Sequence, residues 1–293
     1  DVMIAVGMRF DDRVTGDVTK FAKQAKIIHI EIDPVEINKV VKTEVGILAD
    51  ANEALTALLP LVKENKHTEW IDTFKLLDES EQRIVIDNAI HPSEGGIKMG
   101  EIMHLIDEKT KGEAIIVPDV GQHQMYAMRY YNYRKPNSWV SSGGLGTMGF
   151  SLPAAIGAQM AAMDRTVVAI IGDGCFQMTI QELGTIWQQN LPVKVVIFNN
   201  NFLGMVRQWQ QLFFDNRYSQ VELKNPDFVA ISKGFGIAST KVKLRENLSD
   251  ALDIMFAHDG PYVLEVVVEK EDNLFPMVPS GAACSDIILE PSK

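Results

Sequence analysis

Two short tracts place oxygen ligands where strands end. Gly172-Asp173-Gly174 closes the apolar run Thr166 to Ile171, and Asn199-Asn200 closes the run Val193 to Phe198. Both runs are short and β-branched, the pattern of parallel strands buried on both faces. Cys175 to Gln189 between them has the length and pattern of a helix ending at Asn190-Leu191-Pro192. The unit is therefore strand, helix, strand, with a carboxylate and a carboxamide at adjacent strand ends. Such hard oxygens suit Mg²⁺, which takes few protein ligands and binds beside phosphate oxygens. The glycines let backbone approach a phosphate, and the helix start favours an anion. The chemistry implied is a Mg²⁺-diphosphate site. Taken singly, Gly-Asp-Gly reads as an ordinary strand-to-helix turn, and Asn-Asn carries even less.

The elements that must position these tracts form an α/β chain. The 293 residues suffice for one large or two ordinary domains, and 46% apolar content supports a sizeable core. A formal charge of −11 argues against nucleic acid and anionic membrane surfaces as partners. No apolar run approaches the roughly 20 residues that span a bilayer. Cys175 and Cys284 make neither a disulfide framework nor a metal spacing, which fits a reducing compartment, the cytoplasm.

Residues 1–63 carry strand signals at Val2–Val6 and Lys26–Ile32, with helices expected near Val18–Gln24 and Ala51–Lys63. This resembles the end of an α/β domain, and the abrupt start at Asp1 without Met marks a fragment of a longer polypeptide. Residues 64–93 read as a charged linker. A second α/β domain, 94–272, is expected with helices at Ile97–Thr110, Leu152–Ala162, Gly204–Leu212, Pro226–Lys233 and Asn247–Ala257. Further strands are expected at Ala114–Val117, Trp139–Ser142, Gly236–Lys241 and Tyr262–Val268. Residues 273–293 form an irregular C-terminal tail. Gln122, His123, the glycine-rich stretch 143–148, Asp173 and Asn200 all follow strand signals, so they gather along one sheet edge, where open α/β sheets bind ligands.

Together, the Gly-Asp-Gly and Asn-Asn tracts form the signature of thiamine-diphosphate enzymes. Longer runs narrow the resemblance: Gly121-Gln122-His123-Gln124-Met125, Ser141 to Phe150 joined to Leu152 to Ala158, and Gly204-Met205-Val206-Arg207-Gln208-Trp209. Arg9-Phe10-Asp11-Asp12-Arg13 near the start and Pro276-Met277-Val278-Pro279-Ser280-Gly281 near the end extend it over essentially the whole chain. These runs resemble the large catalytic subunit of acetolactate synthases. The resemblance implies a three-layer α/β/α parallel-sheet diphosphate-binding domain, preceded by part of a Rossmann-like central domain of the FAD-binding type. The family's pyrimidine domain, with the glutamate that activates the cofactor, has no counterpart here.

Residue roles follow from the resemblance. Asp173, Asn200 and the Phe202 carbonyl are the implied Mg²⁺ ligands. Gln122, His123, Gly146, Thr147, Met148, Gly174, Cys175, Asn201, Leu203, Gly204 and Met205 are implied around thiamine diphosphate. Cys175 stands where relatives often carry serine, and a small polar filler is its simpler reading. Met148 matches the wedge that bends the cofactor, where rigidity at the right distance is the physical need. Arg13 matches the arginine that grips a second 2-oxo acid, a planar carboxylate suited to a guanidinium fork. Trp209 matches the residue that shapes the substrate side-chain pocket. A surface salt bridge with Asp11 or Asp12 is the structural alternative for Arg13; a core side chain is the alternative for Met148 and Trp209. Gly7, Met8, Arg9, Phe10, Asp11, Glu31, Ile32, Asp50 and Ala51 fall where the family contacts a structural FAD.

The implied reaction decarboxylates pyruvate and joins the hydroxyethyl unit to a second pyruvate or 2-oxobutyrate, in branched-chain amino acid biosynthesis. A homodimer or homotetramer, and a small regulatory subunit, are the implied partners. A pyruvate oxidase or glyoxylate carboligase type, or a non-catalytic cofactor-binding fragment, are the competing readings. The isolated chain, lacking the pyrimidine domain, is expected to be inactive.

Overall fold

The computed structural model describes residues 1–289. The chain divides into two compact units, one of residues 1–85 together with the segment from Phe275 onward, the other of Ile86–Leu274. The first division falls inside the stretch the sequence marks as a linker, and the C-terminal segment returns to the first unit.

In the first unit β1 (Val2–Val6), β2 (Lys26–Glu31) and β3 (Val45–Leu48) form a parallel sheet in that order. A short α1 (Asp12–Thr15) follows β1, capped by the Asp11 carboxylate on Arg13 N–H, and α2 (Ala51–Leu58) follows β3, capped by Asp50. A further helix, α3, spans Thr68–Glu81, inside the stretch read as a charged linker. Two expectations change here. The helix expected near Val18–Gln24 is a run of turns, because Ala22 takes a left-handed φ of 44° that ends any helix. β3 carries no sequence signal, being four residues long with a glycine inside it.

The second unit is a five-stranded, all-parallel sheet. Its elements run α4 (Asp87–Ile90), α5 (Met99–Thr110), β4 (Ile115–Pro118), α6 (Gln122–Tyr130), α7 (Ser151–Ala161), β5 (Val167–Gly172), α8 (Asp173–Met178) and α9 (Leu183–Gln188). They continue with β6 (Lys194–Asn199), α10 (Gly204–Phe213), α11 (Phe228–Gly234), β7 (Ala238–Val242), α12 (Leu248–Ala257) and β8 (Tyr262–Val267). The spatial order is β4-β5-β6-β8-β7. Alternate residues on each strand feed opposite faces. Ile116, Ile170, Val196 and Leu264 pack with Ile102 and Ile106 of α5 and Leu252 of α12; Val117, Ala169, Ile197 and Val263 pack with Leu152 of α7, Phe176 of α8 and Leu183 of α9. Two cores on one sheet make the three-layer α/β/α domain that the sequence implies. Each such fully buried large side chain contributes about 1.5–3 kcal/mol through burial.

Three elements depart from expectation. The helix expected over Cys175–Gln189 breaks at Thr179 into α8, a 3₁₀ turn at Ile180–Glu182, and α9. Thr179 Oγ1 donates to the Gly149 carbonyl, tying the break to the neighbouring loop. The strand expected at Trp139–Ser142 shrinks to one bridge between Trp139 and Ile116. Helix α6 carries no clear sequence signal, because its Gln-His-Gln start and clustered tyrosines hide the apolar stripe of Tyr126, Ala127 and Tyr130.

Candidate cofactor and metal site

The carboxyl ends of β4, β5 and β6, three neighbouring strands, open onto one cleft of about 430 Å³. β4 delivers Val120, Gly121, Gln122 and His123; β5 delivers Gly172, Asp173, Gly174 and Cys175; β6 delivers Asn200, Phe202, Leu203, Gly204 and Met205, with Met148 on a further wall. Tracts separated by tens of residues thus meet because parallel strands all end on the same side.

Asp173 and Asn200 are both buried. Burial, against the pull of hydrogen bonds from Asn225 and from backbone N–H groups, raises the Asp173 carboxyl to about 6. Asn200 Oδ1 accepts from Phe202 N–H at 3.0 Å, closing a tight turn that starts α10. A carboxylate, a carboxamide oxygen and the Phe202 carbonyl make an all-oxygen donor set, the kind Mg²⁺ takes.

Gln122 and His123 open α6 and are buried. Gln122 Nε2 donates to Gln208 Oε1 at 2.7 Å and to the Asp272 carbonyl at 3.0 Å. That leaves Gln122 Oε1, and also His123 Nε2, buried without a hydrogen-bond partner among the described residues. Orphaned polar atoms at a cleft wall are costly unless a ligand pairs with them. Burial holds the His123 imidazole down at about 4, only partly opposed by the nearby Asp119 carboxylate, so the ring is neutral at physiological pH.

Four glycines line the cleft, Gly121, Gly172, Gly174 and Gly204, and none has room for a side chain. A Cβ on Gly204 would overlap Gln122 Oε1 and sit 2.9 Å from Asn200 Nδ2, and one on Gly174 would sit 2.8 Å from Leu203 Cδ2. Cys175 donates from Sγ to the Val120 carbonyl at 3.3 Å, and burial raises its thiol far above the usual range. A thiol raised in this way stays protonated and is a poor nucleophile.

Asp119 anchors the far side. Its Oδ1 accepts from Val120 and Gly149 N–H and its Oδ2 from Ser151 N–H, all at 2.8–2.9 Å. The loop carrying Met148 is thereby pinned to the end of β4. Met148 is half-buried against the core beside the cleft, whereas Gly146 and Thr147 are exposed and lie outside its lining. Asn201 also lies outside the lining; it takes a left-handed φ of 57°. Trp209 packs on Phe213 at 5.2 Å between ring centroids and does not line the cleft.

The remaining sequence candidates belong to the first unit. Arg13 is exposed, with Nε 3.9 Å from Asp12 Oδ2, and Arg9 pairs with Asp11 at 2.8 Å. Gly7 takes φ 59° with open space around it, and Ile32 is exposed. Phe10 is buried against His29, whose Nε2 bonds the Met8 carbonyl at 2.8 Å. Glu31 Oε1 accepts from Ile32 and Asp33 N–H. Asp50 caps α2, of which Ala51 is the first residue.

Sequence reasoning missed Asp119, Gln208 and Asn225. Gln208 lies inside a recognised run and Asp119 two residues before one, and neither gives a sign of what it bonds. Asn225 lies in an ordinary loop and bonds Asp173 across 52 positions, for which no local pattern exists.

Comparison with known proteins agrees with this geometry. Residues 119–266 match the family model described as thiamine pyrophosphate enzyme, C-terminal TPP binding domain, and residues 1–58 match the thiamine pyrophosphate enzyme central domain. The chain is 42% identical over 291 residues to the acetolactate synthase isozyme 2 large subunit of Escherichia coli (strain K12), covering 98% of this chain and 51% of that protein. It is 43% identical to acetolactate synthase 1, chloroplastic, of Zea mays (99% and 47%) and 42% identical to the acetolactate synthase large subunit of Corynebacterium glutamicum (98% and 47%). The chain spans about half the length of the curated relatives it matches. No helix among the described residues is long and apolar enough to cross a membrane.

Proposed function

The chain belongs to the thiamine pyrophosphate enzymes, and on that premise we propose that it is the cofactor-binding part of an acetolactate synthase large subunit. The observation that carries this reading is the single cleft where Asp173, Asn200, Gln122, His123 and Met148 converge. Mg²⁺ held by Asp173, Asn200 and the Phe202 carbonyl fits the donor set. Thiamine diphosphate fits the orphaned Gln122 Oε1 and His123 Nε2.

When bound, thiamine diphosphate supplies the electron sink for decarboxylating a 2-oxo acid. The chain's own residues hold and orient it. Gln122 and the neutral His123 pair with polar atoms entering the cleft. The start of α10, at Gly204, lies on the cleft wall and would receive the diphosphate. Met148, backed by the core and by the Asp119 clamp, sets the depth to which the cofactor seats. Trp209 bounds the side-chain pocket of the second 2-oxo acid; pyruvate and 2-oxobutyrate are the proposed substrates. FAD is proposed for the first unit, supported by the open Gly7 turn and by Glu31 at the end of β2, the position from which acids bind ribose in dinucleotide folds. A homodimer or homotetramer and a small regulatory subunit complete the proposal. Cytoplasm is the proposed location, supported by the free thiols of Cys175 and Cys284.

The test is a product assay on the intact protein with pyruvate, Mg²⁺ and thiamine diphosphate. Acetolactate and CO₂ are expected, and both vanish in Asp173→Ala. Acetate with hydrogen peroxide would place the protein among pyruvate oxidases instead, and no carboligation product at all refutes the synthase reading.

A further inference from the structure

The Asp173 carboxylate is held by a relay that crosses the sheet. Asn225 Nδ2 lies 2.6 Å from Asp173 Oδ2, 2.9 Å from Asn199 Oδ1 and 3.2 Å from Asn201 Oδ1, and Asn225 Oδ1 accepts from Gln177 Nε2 at 2.9 Å. Asn199 Nδ2 in turn donates to Glu265 Oε1 at 2.7 Å, and Lys241 Nζ pairs with the same oxygen at 2.7 Å. Lys241 sits on β7, Glu265 on β8, Asn199 on β6 and Asp173 at the end of β5, so the relay follows the spatial order of the strands.

The orientation of every amide in this relay is dictated by its ends. Asp173 and Glu265 are acceptors only when ionised. Glu265 therefore takes the Asn199 NH₂, which turns the Asn199 carbonyl toward Asn225. Asp173 likewise takes the Asn225 NH₂. Lys241 balances the charge of Glu265, which is fully buried. Reversing either amide would set oxygen against oxygen at one end.

We propose that Asn225 is a positioning residue for a divalent cation: clamped between Asp173 and Asn199, it holds the Asp173 carboxylate in one orientation before the cation arrives. Groups that orient a metal ligand act on affinity through preorganisation, because the ligand need not be fixed at the moment of binding. The inference rests on the Mg²⁺ reading of the cleft.

The experiment titrates Mn²⁺ into the intact protein at a fixed, saturating concentration of thiamine diphosphate, reading free Mn²⁺ by electron paramagnetic resonance. Asn225→Ala is expected to raise the Mn²⁺ Kd by about tenfold to a hundredfold, the usual effect of losing a ligand-orienting partner. The Mg²⁺ concentration that half-activates the enzyme should shift by the same factor, which a purely structural defect would not produce. Asn225→Ser keeps a short donor and should give an intermediate Kd; it decides the matter if the alanine variant does not fold. Asp173→Ala separates the two levels of inference. If it loses Mn²⁺ binding while the Asn225 variants keep the wild-type Kd, the positioning role is wrong and the metal site stands. If Asp173→Ala itself keeps the wild-type Kd, the metal reading fails and the positioning role with it.

Discussion

Replacing Gly204 by alanine should damage the cleft more than its size suggests. The added Cβ overlaps Gln122 Oε1 and lies 2.9 Å from Asn200 Nδ2 and 3.1 Å from Gln122 Cδ. Gln122 cannot simply retreat, because its Nε2 is held by Gln208 Oε1 and the Asp272 carbonyl. Breaking those two bonds costs about 1 kcal/mol each, and overpacking without relaxation costs about 1–3 kcal/mol. Alanine's better helix propensity at the start of α10 returns about 1 kcal/mol. The net of roughly 2–4 kcal/mol falls on the two side chains that face the ligand, so thiamine diphosphate affinity should drop by about tenfold or more, at about 1.4 kcal/mol per decade. Quenching of intrinsic tryptophan fluorescence during a thiamine diphosphate titration at fixed Mg²⁺ measures this, with urea unfolding of the same sample alongside. Gly174→Ala is the comparison, since its Cβ meets only the flexible ends of Leu203 and Leu223 and should cost less. An unchanged Kd with about 1 kcal/mol of added stability, the helix-propensity effect alone, would refute the close packing of Gly204 on Gln122.

Two other outcomes are expected. His123 has its pKa depressed by burial to about 4, so the unfolded chain binds its proton more readily than the folded one. The stability this neutral ring confers is present above pH 6.5 and is lost as pH falls toward 4. Between pH 6.5 and 5 its share of the loss is on the order of 1–2 kcal/mol, and urea unfolding of His123→Asn should show a correspondingly shallower pH slope; an unchanged slope would put the imidazole in contact with solvent. Gly157 is exposed on α7, with nothing within 4 Å of where a side-chain methyl would sit. Its replacement by alanine should add about 0.5–1 kcal/mol of stability, read from the urea midpoint, with no change in thiamine diphosphate Kd.

The floor of the cleft is legible in the sequence, while its supports are hidden. Val167–Gly172 and Lys194–Asn199 are buried on both faces, so their composition alone marks them as strands, and the chemistry follows at their ends. α6 is obscured because its buried positions are tyrosines and a glutamine rather than aliphatic residues. The break at Thr179 is invisible because a tertiary bond to the Gly149 carbonyl, not a glycine or proline, accompanies it. Asn225, Glu265 and Gln208 act across sequence separations of 52, 66 and 86 residues on Asp173, Asn199 and Gln122 respectively. Nothing local to each of them records such a partner. Arg13 and Trp209 are legible only through runs resembling a family, and the role of Trp209 belongs to the proposal.

The Asp119 clamp separates tolerance from precision along a few residues. Gly143 to Thr147 are exposed, and Gly144 has nothing within 4 Å of where a side chain would begin. One residue beyond Met148, the backbone is locked by Gly149 and Ser151 N–H on a single carboxylate at the end of β4. A side chain at Gly144 can therefore be absorbed without moving the methionine. A graft, a label or an insertion belongs at Gly144, and the same change placed after Met148 would propagate straight into the cleft.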